Sequence, residues 1–203
     1  MPIRFFLSII LTIMFLAGCG SSDYSNQLEP LKVGNTWTYQ ITHYDSTGAV
    51  ISIDTTTRAI KVDTVINEEK WYDMIASNML NLGTNRPDGL WLWNTRYEKK
   101  PHLYLKYPVE AGDIWSWDDY FGGNTVAFEV IAVNDTIETP AGKFATISYK
   151  LTHTALLPGA HPVYCYAPGV GMVKLEDYRG TRGAERATVY LKSLHELISY
   201  DLK

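Results

Sequence analysis

Turn-forming clusters recur along this chain at intervals that leave room for strands and for little else. Asp45-Ser46-Thr47-Gly48, Asn67-Glu68-Glu69, Arg86-Pro87-Asp88-Gly89, Gly122-Gly123-Asn124, Pro140-Ala141-Gly142 and Pro168-Gly169 punctuate the sequence from Leu31 onward. Between them lie runs that alternate in polarity or are rich in β-branched residues. Val50 to Ile60 interleaves apolar and hydroxyl side chains around Thr55, Thr56 and Thr57. Branching at Cβ costs rotamer freedom in a helical turn and packs well on a pleated surface, so this run is a strand. Val126 to Val133 and Lys143 to Thr154 read the same way. At Pro140-Ala141-Gly142 the proline presets one dihedral and Gly142 can take the left-handed conformation that closes a bulged hairpin. Ile131 to Ile137 should therefore pair antiparallel with Phe144 to Leu151. Pro168-Gly169 suits a type II turn between Tyr164–Tyr166 and Met172–Leu175. Roughly ten strands fit this punctuation, with Trp71 to Leu82 readable either way.

Composition supports a folded β-rich chain: 46% of residues are hydrophobic, 20% charged and 13% aromatic, including 14 Tyr and 6 Trp. Acidic residues outnumber basic ones by 22 to 18, a net charge of −4, which excludes a basic nucleic-acid binder. A length of 203 residues favours one domain.

The N-terminus carries the sharpest signal. Arg4 precedes an apolar run from Phe5 to Leu16, broken only by Ser8 and Thr12, and shorter than the roughly 20 residues a spanning helix needs. It reads as the apolar region of a signal peptide covering residues 1–18. The run ends in Leu16-Ala17-Gly18-Cys19, which resembles the bacterial lipobox: small residues for the peptidase cleft, and a thiol to accept a diacylglyceryl group. Cys19 would become the acylated N-terminus, and its acyl chains would anchor the protein, each buried methylene contributing about 0.8 kcal/mol. Residues 19–30 are rich in Ser, Asp, Asn and Gln and read as a flexible tether, with residues 31–203 a single β-rich domain. The residue after the cysteine is Gly20. In well-studied enterobacterial lipoproteins an aspartate there signals inner-membrane retention, so the resemblance favours the outer membrane of a bacterial envelope. Cys165, flanked by Tyr164 and Tyr166, then has no intramolecular partner and reads as a small buried hydrophobe.

The aromatics fall in pairs two apart: Trp37 with Tyr39, Trp91 with Trp93, and Trp115 with Trp117. That spacing puts each pair on one face of its strand. The pairs either build an apolar core or line a concave face that receives an apolar ligand. Two of them lie in an internal echo. Leu31-Lys32-Val33-Gly34-Asn35-Thr36-Trp37-Thr38-Tyr39 matches Val109-Glu110-Ala111-Gly112-Asp113-Ile114-Trp115-Ser116-Trp117, glycine on glycine and tryptophan on tryptophan. Each copy reads as a turn leading into an aromatic strand.

Together the lipobox, Leu31 to Trp37, Tyr107-Pro108 to Trp117, Thr139 to Phe144 and Tyr166 to Lys174 resemble a family of exported bacterial lipoproteins of unknown function. Such proteins are similar in architecture to lipoprotein-localisation factors. The resemblance implies a strongly curved antiparallel sheet, a half-barrel or open barrel, closing over an apolar cavity. The sequence has no long amphipathic helix to plug the concave side, which leaves a closed or flattened barrel as the rival.

Catalytic and metal motifs are sparse. His43, His102, His153, His161 and His195 include no pair at the short spacings of a zinc site. Asp113, Asp118 and Asp119 lack an EF-hand frame. No Gly-x-Ser-x-Gly elbow occurs. Glu68-Glu69 and Glu176-Asp177 are strand neighbours whose side chains point to opposite faces. Gly169-x-Gly171 lacks the third glycine of a dinucleotide loop. No metal, cofactor or catalytic residue is expected. The leading reading is a non-enzymatic, membrane-anchored lipoprotein that binds an apolar small molecule or client on a concave surface lined by Trp37, Tyr39, Trp91, Trp93, Trp115 and Trp117. The alternative is a structural lipoprotein docking an envelope protein partner. A third is a carbohydrate-active enzyme, since Trp and Tyr also stack on sugars.

Overall fold

The protein is described by a computed structural model covering residues 27–74, 81–118, 123–157, 159–181 and 188–203. The signal peptide, Cys19 and the tether up to residue 26 lie outside the described residues, as does 75–80 of the ambiguous Trp71 to Leu82 segment.

The strands in chain order are β1 (Thr36–Tyr44), β2 (Val50–Ala59), β3 (Asp63–Ile66), β4 (Glu69–Asp73), β5 (Asn81–Arg86), β6 (Gly89–Asn94), β7 (His102–Lys106), β8 (Ile114–Asp118), β9 (Thr125–Thr139), β10 (Gly142–His153), β11 (His161–Ala167), β12 (Gly171–Gly180) and β13 (Val189–Asp201). Among the described residues the turn clusters read from the sequence lie at junctions between consecutive strands, some of their end residues belonging to the strands, and Phe144 pairs with Ile137 across the Pro140-Ala141-Gly142 turn as expected; Gly122 lies outside the described residues.

The strands form two antiparallel sheets. The larger runs β2-β1-β13-β12-β11-β10-β9-β8, and the smaller runs β3-β4-β5-β6-β7. This corrects the expectation of one strongly curved sheet of roughly ten strands. The order of the larger sheet is open, with β2 and β8 as its edges. A second layer does the work expected of curvature. Leu90 and Leu105 from the small sheet pack with Trp37, Phe128 and Tyr149 from the large one, in a common core. Two sheets facing one another bury their inner sides without closure.

Phe128 on β9 has no exposed surface and is the hub of this core. Tyr104, Trp115, Trp117, Tyr149 and Tyr164 surround it with ring centroids 5.3–6.4 Å away, mostly edge-on or stacked as aromatic quadrupoles prefer. Hydrogen bonds tie the sheets together, among them Trp115 Nε1 donating to the Tyr104 carbonyl at 3.1 Å and the Tyr149 hydroxyl donating to the Lys106 carbonyl at 2.9 Å.

The internal echo is a repeated structure. Gly34 and Gly112 both have left-handed φ, +97° and +91°. The Gly34 amide donates to the Ile60 carbonyl and the Ile60 amide to Asn35; the Gly112 amide donates to Val130 and the Val130 amide to Asp113. The two turns thus start the outer hairpins at opposite ends of the large sheet, β1–β2 and β8–β9.

Gln27 to Pro30, read as tether from the sequence, belong to the packed domain. Leu28, Glu29 and Pro30 are buried. The Gln27 carbonyl accepts from the Gly169 amide at 2.7 Å, and Asn35 Nδ2 donates to the Pro30 carbonyl at 2.8 Å.

Candidate functional site

The turn joining β11 to β12 is held more tightly than any surface turn requires. Trp37 Nε1 donates to the Val170 carbonyl at 2.6 Å, and the Tyr39 hydroxyl donates to the Met172 carbonyl at 2.9 Å. Gly171 has φ +101°, and a Cβ there would lie 2.8 Å from Glu29 Oε2. Only glycine fits both the backbone and the space.

Glu29 itself has no exposed surface and forms an ion pair with Arg58 of β2, whose guanidinium lies over Trp37, 4.3 Å from its ring centroid. Burial pushes the Glu29 carboxyl above the usual carboxylate range, with Arg58 and the Met172 amide pulling the other way. Glu29 Oε2 and Arg58 Nε have no hydrogen-bond partner among the described residues. Asn85 of the small sheet completes the clamp, donating to the Glu29 carbonyl at 2.7 Å.

On the other side of this clamped turn lies a groove of about 600 Å³. Pro168 and Val170 make one wall, and Pro108 and Val109, in the connection from the small sheet to the large one, make another. Val133, Phe144 and Ile147 from β9 and β10 form the floor. The pairing of these two strands slips so that Asn134, at φ +62°, has no partner opposite it. Such a bulge bends and twists a hairpin, here immediately beside the Val133–Ile147 pair of the floor. Lys143 stands at the mouth, exposed, in a 3.3 Å ion pair with Glu138. Largely apolar walls with a few polar groups at one end suit an apolar chain with a polar head.

The aromatic residues singled out from the sequence do not share one concave surface. Trp37 and Tyr39 are buried behind the turn that walls the groove, and contribute to it through hydrogen bonds. Trp115 and Trp117 pack around Phe128. Trp91 and Trp93 lie on the outer face of the small sheet, because Leu90 and Leu92, which alternate with them, turn into the core. Trp91 Nε1 donates to Asp88 at 2.8 Å, and Trp93 Nε1 donates to the Glu98 carbonyl at 3.0 Å. Spacing by two places a pair on one face of its own strand. It is silent on which sheet that strand joins and which side of the sheet is inner.

Sequence reasoning missed Glu29 and Arg58. The available signal was a lone carboxylate framed by Leu28, Pro30 and Leu31, which is unlike a solvated tether. Cys165 is buried as read, with Sγ 3.5 Å from Ser148 Oγ, and burial pushes its thiol pKa up. No group of three or more His, Cys, Asp and Glu that could hold a metal ion converges among the described residues.

No family model matches the sequence, and no curated protein matches it. Among solved structures, the fold is similar to an inferred exported protein with YmcC-like fold from Bacteroides fragilis, at 14% identity and a TM-score of 0.48, covering 86% of this chain and 98% of that one. It is also similar to an inferred lipoprotein from Parabacteroides distasonis, at 16% identity and a TM-score of 0.42, covering 87% of this chain and 99% of that one.

Proposed function

We propose that this protein is a lipid-anchored, non-enzymatic binding lipoprotein of the bacterial envelope, which holds an apolar or amphiphilic ligand in the groove between Val109, Phe144 and Val170. The observation that carries the reading is the groove's construction: apolar walls, one of them clamped by Trp37, Tyr39 and the buried Glu29–Arg58 pair. A wall fixed before the ligand arrives lowers the ordering cost of binding. Lys143 would face the polar head of an amphiphile. Lipid attachment at Cys19 rests on the lipobox, and the preference for the outer membrane rests on Gly20. The described domain begins beside the groove, since Gln27 is bonded to Gly169, next to Pro168 and Val170. Acylation would therefore keep the groove close to a membrane.

The test is native mass spectrometry of the chain from Gly20 to Lys203, which carries no acyl group, purified gently from bacteria before and after organic extraction. The expected result is a bound mass that extraction removes, and that a fluorescent fatty acid then replaces. An unliganded mass together with no uptake of the fatty acid would overturn the reading.

A second reading has its own support. β2 is an edge of the large sheet with Val50, Ile51 and Ile53 exposed by 57%, 66% and 59%. An apolar, unpaired edge can accept a strand from an envelope protein. Cross-linking from a photoreactive residue at position 52 in living cells would reveal such a partner.

A further inference from the structure

A second site lies on the opposite side of the small sheet from the core and is independent of the groove. Outer faces of sheets are ordinarily polar, yet here Trp71, Trp91 and Trp93 stand on that face with Arg86. The arginine does not serve as a free cation. Its Nε and one terminal nitrogen each reach a Glu69 carboxylate oxygen at 2.7 Å, and its guanidinium lies over Trp91, 4.2 Å from the ring centroid. Trp71 and Trp93 meet edge to face at 5.8 Å.

The loop after β6 folds over this aromatic surface and leaves a cleft of about 360 Å³ lined by Asn67, Trp71, Trp93, Lys99 and Lys100. The same two lysines line a second cleft of about 450 Å³ on the other side of the loop, beside Tyr97 and the stacked pair of His102 and Trp117, whose ring centroids are 4.7 Å apart. Glu98, which also faces the second cleft, is engaged: it accepts from the Asn94 amide at 2.7 Å and lies 2.9 Å from His102 Nδ1. Lys99 and Lys100 are exposed and have no hydrogen-bond or ion-pair partner among the described residues. Glu69 and Arg86 cancel, so the positive charge of the first cleft is that of Lys99 and Lys100, while the second cleft adds the carboxylates of Glu98, held by His102 and the Asn94 amide, and of Asp118, which accepts from the Thr125 hydroxyl.

We infer that these two clefts form one binding site for an acidic oligosaccharide, whose chain crosses the Lys99-Lys100-Pro101 ridge with sugar rings against Trp93 and the His102–Trp117 stack and carboxylates on the two ammonium groups. Aromatic faces receive the C–H face of a pyranose and exclude water from it. The lysines, as flexible point charges, select acid groups without demanding one fixed geometry. Asn67 and Asp118, at the far walls of the two clefts, would accept hydrogen bonds from ring hydroxyls. Two small clefts joined at a charged ridge fit successive units of a polymer better than one compact molecule.

The test is native affinity electrophoresis of the chain from Gly20 to Lys203 in gels containing polygalacturonate, dextran or dextran sulfate. Polygalacturonate should retard the protein and dextran should not. The Lys99→Ala/Lys100→Ala double variant, altered only at exposed side chains, should lose apparent affinity by about tenfold or more, while Lys61→Ala/Lys192→Ala should keep it. Trp93→Ala, checked for folding, should lose it too. No retardation by polygalacturonate, retardation unchanged in the Lys99/Lys100 variant, or equal retardation by dextran sulfate would each overturn the assignment, the last because it would reduce the site to unspecific charge.

Discussion

Glu29 and Arg58 form an ion pair in which the Glu29 side chain has no exposed surface and the Arg58 side chain is one quarter exposed. The pair joins the first described residues of the chain to an edge strand, beneath the turn that walls the groove. Removing one partner leaves the other charge without compensation. Arg58→Met is expected to destabilise the protein by about 3–5 kcal/mol, and Glu29→Gln/Arg58→Met by clearly less than Arg58→Met alone. Urea unfolding followed by tryptophan fluorescence measures both. A double variant as unstable as the single one would show that the pair is not coupled.

The same carboxylate sets a pH dependence. Its folded-state pKa is raised above the ordinary 4.5 because burial penalises the charged form. The unfolded chain therefore releases this proton first, and Glu29's contribution to stability is greatest below that value and declines as pH rises through the folded pKa. Wild type should lose stability relative to Glu29→Gln as pH is raised from about 4.5 toward neutrality. Parallel pH profiles for the two proteins would contradict this.

Gly171→Ala combines a left-handed backbone with a Cβ 2.8 Å from Glu29 Oε2. The expected cost is about 1–3 kcal/mol, read as a lower thermal midpoint. Ligand affinity at the groove should fall as well, since Val170 beside it is a wall residue.

Trp115→Phe keeps a ring against Phe128 but removes the 3.1 Å hydrogen bond to the Tyr104 carbonyl that links the two sheets. A loss of about 1–3 kcal/mol is expected, the cost of leaving a part-buried carbonyl unpaired. Trp115→Ala should cost about 3–5 kcal/mol, because the residue serves the core and not the groove.

Within the groove, Val133→Trp should fill the space above the floor beside the Asn134 bulge. Uptake of a fluorescent fatty acid is expected to fall about tenfold with the urea midpoint little changed. Cys165, buried with its thiol pKa raised, should resist a disulfide reagent in the native protein and react on unfolding. Rapid native labelling would place it on an accessible surface instead.

Much of this architecture was legible because turns are local. Asp45 to Gly48, Pro140 to Gly142 and Pro168-Gly169 each stop a strand through the dihedrals of a few residues, and each does so here. The repeat of Gly34 in Gly112 was readable for the same reason: a left-handed glycine followed by an aromatic strand is a local device. Burial of Cys165 followed from its aromatic neighbours.

Sheet membership was not readable in this way. Trp91 and Trp115 sit in similar alternating strands, yet one faces outward on the small sheet and the other bridges both sheets. Which face is inner depends on partners distant in sequence. Glu29 shows the same limit more sharply, since its meaning comes from Arg58 and Gly171, each far along the chain. The sequence alone determined most strands and their turns, and carries the run that resembles a lipobox, because these depend on neighbouring residues. Only the tertiary structure decided that there are two sheets, where the groove opens and which carboxylate is buried, because those follow from long-range packing that local chemistry does not encode.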